Sequence, residues 1–198
     1  MIMATVITDI NQLDLNGTYS YADYLLWRFK ERVELFKGKI LKMSPAPNRK
    51  HQEITGALHI ELGNLFKNKS CKVYIAPFDV RIPIQSKRDE EIFTVVQPDL
   101  CIICDPNKLD DRGCVGAPDL VIETLSPGNS KKEMKHKFEL YQEAGVREYW
   151  IVDPNQESVL INVLENGKYI TQNPIVDDEI TSIIFPNVKI HTNDIFGT

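Results

Sequence analysis

Long apolar runs are missing from this chain. Nowhere do hydrophobic residues approach the ~20 in a row that a membrane helix needs, so no membrane span is expected. The opening MIMATVITDINQLD has no basic n-region and no apolar core, so it does not read as a secretion signal, and a cytoplasmic compartment is expected. Phosphate-cradling glycine patterns are missing too: there is neither GxGxxG nor GxxxxGK[ST]. No G-x-S-x-G nucleophile elbow occurs, and Ser126, in LSPGN, reads as a turn or helix-start residue. The four histidines, at 51, 59, 136 and 191, are too scattered for a His-based zinc site. Excess positive charge is lacking as well. A net charge of -5 argues against a protein that coats nucleic acid without specificity.

Cysteine is scarce, with four in 198 residues. Cys101 and Cys104 form a CxxC, but inside an apolar strand that spacing sends the two side chains to opposite faces. Cys71 and Cys114 supply no second CxxC, so all four are expected as buried free thiols.

What the chain does contain is an apolar fraction of 42%, enough for one sizeable core, and one α/β domain is expected over residues 18–198 behind a poorly ordered lead-in, 1–17. Tyr19 to Lys30 reads as a short helix. VELFKGKILKMSP alternates about Lys37-Gly38, as a hairpin does, with Pro45 and Pro47 ending it. Asn48 can cap a helix running to about Lys67, whose stripe is Ile54, Leu58, Leu62 and Leu65. His51 falls on that same stripe. CKVYIAPFDVRIPI reads as one strand, bulged near Ala76-Pro77, with Asp79 its only acid. FTVVQPDLCIICD is its partner. A strand from Asp119 to Leu125 is broken at Ser126-Pro127-Gly128-Asn129, and a helix from about Ser130 to Ala144 is closed by Gly145. Glu148 to Val152 returns as a strand. A hairpin about Asn166-Gly167, a strand near Val188 to His191 and a turn of helix at Asn193 to Phe196 finish the chain. Local basic patches exist at Arg28–Lys42, with six Lys or Arg, and at Lys131–Lys137 with His136. Solvated faces account for either patch taken alone.

The strands from Val95 to Leu125 carry the chemistry. Each has an acid among apolar neighbours, where a carboxylate is costly unless something binds it. Asp99 shares a face with Gln97, Cys101 and Ile103, and Glu123 shares one with Asp119, Val121 and Leu125. Two such acids on neighbouring strands suggest a divalent metal. Asp119 lies ~13 Å from Glu123 along its strand and is the weaker candidate. The helix that follows keeps Met134, Phe138, Leu140, Tyr141 and Ala144 on its apolar arc, into which Glu133 and Lys137 intrude. They make either an i,i+4 ion pair or a lysine brought down onto the acids.

PDL, followed by PDLVIETLSP, a lysine, LY and AGVREYWIVDP, resembles the Uma2 family of endonucleases, a branch of the PD-(D/E)xK nuclease superfamily. VELFKGKILKMSP resembles the family's hairpin, and His51 its helix-start histidine. The resemblance covers roughly residues 20–196, with Pro118 to Pro154 its specific part. It implies a restriction-endonuclease-like core of helix, three strands, helix and strand, with a mixed sheet, an N-terminal hairpin and a C-terminal β-hairpin as additions. Asp99 would be the acid of the PD motif and Glu123 that of the third strand. The lysine expected two residues later is replaced by Leu125, so Lys137 would reach the same spot from the helix.

The implied activity is metal-dependent hydrolysis of phosphodiester bonds in DNA. Asp99 and Glu123 would bind Mg²⁺ or Mn²⁺ and Lys137 would assist, with His51 and Glu34 as further catalytic residues and Asp79 as a further metal ligand. The resemblance also allows a homodimer. The rival reading is an inactive module of the same fold that binds nucleic acid or a protein partner, favoured by Leu125 and the acidic net charge. A glycosidase acid pair is set aside because of the lysine and the order of elements.

Overall fold

A computed structural model of the chain describes residues 5–43, 48–126 and 131–197. The segment ahead of residue 18, expected as a poorly ordered lead-in, includes local structure and contacts from Ile7 onward. Ile7 bridges to Trp27, Asp9 caps a 3-10 turn at Ile10–Gln12, and Ile10 is buried. The first helix is shorter than the sequence suggests. α1 (Tyr21–Tyr24) starts at a capping box between Ser20 and Asp23. It gives way after one turn to tighter three-residue turns, with the Leu26 N–H on the Asp23 carbonyl and the Trp27 N–H on the Tyr24 carbonyl. The Arg28 N–H then pairs with the Ile7 carbonyl, and its guanidinium donates to the Leu25 and Trp27 carbonyls.

β1 (Val33–Phe36) and β2 (Lys39–Lys42) form the expected hairpin, with both turn residues, Lys37 and Gly38, at positive φ. Its end at Pro45 and Pro47 lies outside the described residues. α2 (Arg49–Phe66) begins where Asn48 accepts from the His51 N–H, and buries His51, Ile54, Leu58 and Leu62 on one face.

Two segments expected as single strands are each split in two. The first becomes β3 (Lys72–Ile75) and β4 (Val80–Arg81), the second β5 (Val95–Val96) and β6 (Leu100–Ile103). In each, the chain leaves one sheet and enters another at a proline, Pro77 or Pro98, which has no N–H for a ladder. The two crossings lie side by side, the Ala76 N–H donating to the Asp99 carbonyl. Beyond them come β7 (Leu109–Asp110), β8 (Gly113–Val115), β9 (Leu120–Thr124), α3 (Lys131–Ala144) and β10 (Glu148–Asp153). The break expected at Pro127–Asn129 is outside the described residues. β11 (Ser158–Glu165) and β12 (Lys168–Thr171) form the hairpin about Asn166-Gly167. β13 (Ile175–Val176), β14 (Glu179–Thr181), β15 (Lys189–His191) and α4 (Thr192–Phe196) complete the chain.

The larger sheet runs β12-β11-β10-β9-β6-β3, with β9 and β10 parallel and the other pairs antiparallel. β9 is buried on both faces, which is why it reads as a nearly unbroken apolar run. Strand parity sorts its neighbours. Leu100, Ile102, Leu120 and Ile122 pack under α2 and α4, whereas Cys101, Ile103 and Val121 face α3. The smaller sheet, β2-β1-β5-β4-β8-β7, carries the third cluster with Tyr21, Trp27, Leu35 and Ile92. Among the described residues no helix is long and apolar enough to cross a membrane.

The cysteine expectation is half corrected. Cys101 and Cys114 are buried free thiols, but Cys71 and Cys104 form a disulfide. The antiparallel register of β3 on β6 pairs Lys72 with Ile103, so one step further places those two cysteines opposite each other.

Candidate active site

The β6–β9 register pairs Leu100 with Ile122, and extending it by one residue sets Asp99 opposite Glu123. Asp99 is not mid-strand as the sequence suggests. It follows Pro98 at the crossing between sheets, which exposes it partly and separates it from Gln97. Its Oδ2 accepts from the Thr124 N–H at 2.8 Å and lies 3.2 Å from His51 Nε2. His51 comes from the first turn of α2, which packs beneath β9. Thr55, one turn on, joins the two elements by donating to Thr124 Oγ1. Burial opposes a charge on His51, but the hydrogen bond and negative charge of Asp99 outweigh it and raise the imidazole pKa.

Glu123 is 8% exposed. Its Oε1 accepts from Lys137 Nζ at 2.8 Å and from the Tyr141 hydroxyl at 2.7 Å. Burial pushes its carboxyl up to about 7; Asp99 and Glu34 add to this and Lys137 opposes it. Lys137 also lies 3.7 Å from Glu34 Oε1. Burial works against its ammonium, yet the carboxylates of Glu123 and Glu34 prevail and carry its pKa above that of a free lysine. Glu34, buried on β1, accepts from the Gln97 N–H at 2.8 Å. The structure therefore brings Glu34, His51, Asp99, Glu123 and Lys137 into one group where the two sheets meet α2 and α3.

Asp79, expected as a further metal ligand, is otherwise engaged. Its Oδ1 accepts from Gln97 Nε2 at 2.8 Å and its Oδ2 from the Tyr21 hydroxyl at 3.2 Å. Asp119, the weaker strand acid, anchors structure: it accepts from the Cys104 N–H and pairs with Arg147. Gln97 does not share a face with Asp99. It ties the site to the N-terminal cluster instead, donating to Tyr24 and accepting from Arg32.

Two contributors escaped the sequence reading. Tyr141 was placed on the apolar arc, where a buried hydroxyl needs a partner; that need, together with its position one turn from Lys137, was the available signal. Gln97 had no local signal, because its partners come from distant segments.

Three carboxylates face one lysine and one histidine, which leaves a negative surplus. Among the described residues, Asp99 Oδ1 and Glu123 Oε2 have no protein hydrogen bond. No three His, Cys, Asp or Glu side chains among the described residues form a ready-made metal cage. Two hard carboxylates nevertheless suit Mg²⁺ or Mn²⁺, since Mg²⁺ keeps several waters and is commonly bound through one or two carboxylates plus substrate phosphate.

Residues 21–193 match the family model Uma2, described as "Putative restriction endonuclease". None of the curated proteins matches the chain. Among solved structures, a putative nuclease belonging to DUF820 from Anabaena variabilis ATCC 29413 is similar at 17% identity, over 90% of this chain and 98% of that one, with a TM-score of 0.69. That likeness shows the fold: mixed α/β and restriction-endonuclease-like, with α2, β3, β6, β9, α3 and β10 in the expected order.

Proposed function

The chain belongs to the Uma2 family, and from that premise we propose that it is a metal-dependent endonuclease hydrolysing phosphodiester bonds in DNA. The observation that carries the proposal is the 2.8 Å contact between Lys137 and Glu123, opposite Asp99. Leu125, where the superfamily's lysine would stand, packs into the apolar cluster with Val121 and Ile151. Lys137 supplies the missing cation from α3.

Asp99 and Glu123 would hold Mg²⁺ or Mn²⁺ through their unpaired oxygens. Such a cation, when bound, polarises a phosphoryl oxygen and lowers the pKa of a coordinated water. The chain's own groups supply the rest. The Lys137 ammonium stays charged between Glu123 and Glu34, so it can donate to the attacking water or to charge developing on the phosphate. His51 and the Thr124 N–H fix the Asp99 carboxylate from one side, leaving Oδ1 open. Tyr141 and Lys137 together hold Glu123 Oε1, which leaves Oε2 without a hydrogen bond among the described residues.

The test is cleavage of supercoiled plasmid with Mg²⁺ or Mn²⁺, run beside Asp99→Ala, Glu123→Ala and Lys137→Ala, with thermal melts to confirm folding. Metal-dependent nicking should be lost in all three. Cleavage that survives in Lys137→Ala removes the lysine from the mechanism. A parent protein that neither cleaves nor binds metal is a non-catalytic module of this fold.

A further inference from the structure

Between α1 and β1 the sequence reads YLLWRFKER, an interleaving of rings and cations. This stretch walls an open cavity of about 380 Å³, lined also by Val33, Pro77 and Gln97. That volume falls in the range of small-molecule sites. Phe29 and Tyr24 provide partly exposed ring surface over the buried Trp27, on which Phe29 stacks, and Arg28, Lys30 and Arg32 set three cations against one acid, Glu31.

The cations are not equivalent. Arg28 is occupied by main-chain carbonyls and Arg32 by Gln97, whereas Lys30 is exposed and has no partner among the described residues. Trp27 belongs to the third core cluster, and Phe29 and the exposed Lys30 stand at its edge, beside the cavity. Locally positive and aromatic, in a chain of net charge -5, the site suits a ligand with a flat apolar face and a negative group. An unpaired nucleotide has both. Its base stacks on rings and its phosphate takes an ammonium, while a duplex keeps its base faces covered.

Gln97 joins this cavity to the acids. Its N–H is bound to Glu34, and the chain reaches Asp99 two residues later, within ~7 Å. We propose that the cavity binds an unpaired nucleotide of a single-stranded DNA segment, next to the phosphodiester presented to Asp99 and Glu123. The proposal rests on the nuclease reading for its substrate.

The probe is a short oligothymidine, with the same-length duplex beside it, titrated into the full-length Asp99→Ala variant. Binding is read by anisotropy and by tryptophan emission. Trp27 borders the cavity beneath Phe29 and Tyr24, and Trp150 is fully buried in the core. An occupant stacked on Phe29 should therefore perturb the emission of Trp27 alone. Single strand should bind more tightly than duplex. Phe29→Ala should weaken it by about tenfold, measured well below the variant's own melting temperature because Phe29 also stacks on Trp27. Lys30→Ala should lower the salt slope by about 0.7. Equal affinity for duplex, or unaltered binding by a folded Phe29→Ala, overturns the proposal. Plasmid cleavage by the unsubstituted chain separates the two readings: single-strand binding without any cleavage upholds the cavity and removes the enzyme.

Discussion

Glu123 cannot be explained as a core residue. A carboxyl that burial and two neighbouring acids push up to about 7 costs the folded state at neutral pH, and Lys137 offsets only part of that cost. The arrangement makes sense if the site is built for a further cation. Part of it was legible beforehand. Asp99 and Glu123 stood out as acids among apolar residues, and Lys137 as a charge on an apolar arc. Tyr141 did not stand out, because a tyrosine on such an arc is ordinary until its hydroxyl is located. It is a positioning residue, and Tyr141→Phe tests this. The ring stays buried, so the fold should persist, but Glu123 loses one of its two donors. Partners of this kind typically matter about 10–100-fold in metal affinity or activity. Kcat on plasmid should therefore fall about tenfold with KM unchanged, and the pH profile of cleavage should shift. Unchanged kinetics in a folded variant would show that Tyr141 only packs.

At the scale of elements, α2, α3, β9 and β10 were legible because each has its own periodicity, caps and turns. The two split strands were not. Alternation in CKVYIAPFDVRIPI and FTVVQPDLCIICD continues through Pro77 and Pro98, and nothing local says that the halves belong to different sheets. The smaller sheet needs its own lock, and Arg81 provides one. On β4 it is 1% exposed, donates to the Cys114 carbonyl on β8 and pairs with Asp110 on β7 at 2.5 Å. The Arg81 hydrogen bond holds the Asp110 carboxyl below its usual range. A depressed folded pKa contributes stability that is fully present above the unfolded value, near 4, and is lost as pH falls through the folded one. Breaking a fully buried pair costs roughly 3–5 kcal/mol, but Asp110 is 42% exposed, so Asp110→Asn should cost about 1–3 kcal/mol at pH 7. In urea melts from pH 7 to pH 3, the gap between parent and variant should stay constant down to about pH 5 and close below it. A gap that persists into acid would mean that the ion pair is not its source.

For the whole molecule, the group formed by Glu34, His51, Asp99, Glu123 and Lys137 is assembled from five segments that meet only in the folded state: β1, the start of α2, the Pro98 crossing, the end of β9 and α3. A cation joining Asp99 to Glu123 would therefore bind the folded chain and not the unfolded one, and must stabilise it by mass action. At a concentration 100 times its dissociation constant this amounts to about 2.7 kcal/mol. For a chain of 198 residues, each kcal/mol moves the midpoint by about 2–4 °C. Mg²⁺ or Mn²⁺ should thus raise the melting temperature by roughly 5–10 °C in the parent, and not in Asp99→Ala. Calcium, which takes the same hard oxygen ligands, should stabilise as well without needing to support cleavage. The measurement needs no nucleic acid, so it separates a chain that binds no cation from one whose cleavage was assayed on the wrong substrate. A parent protein whose melting temperature does not respond to any of the three ions has no such site, and its Glu123 would then have to be read as a buried partner of Lys137 alone.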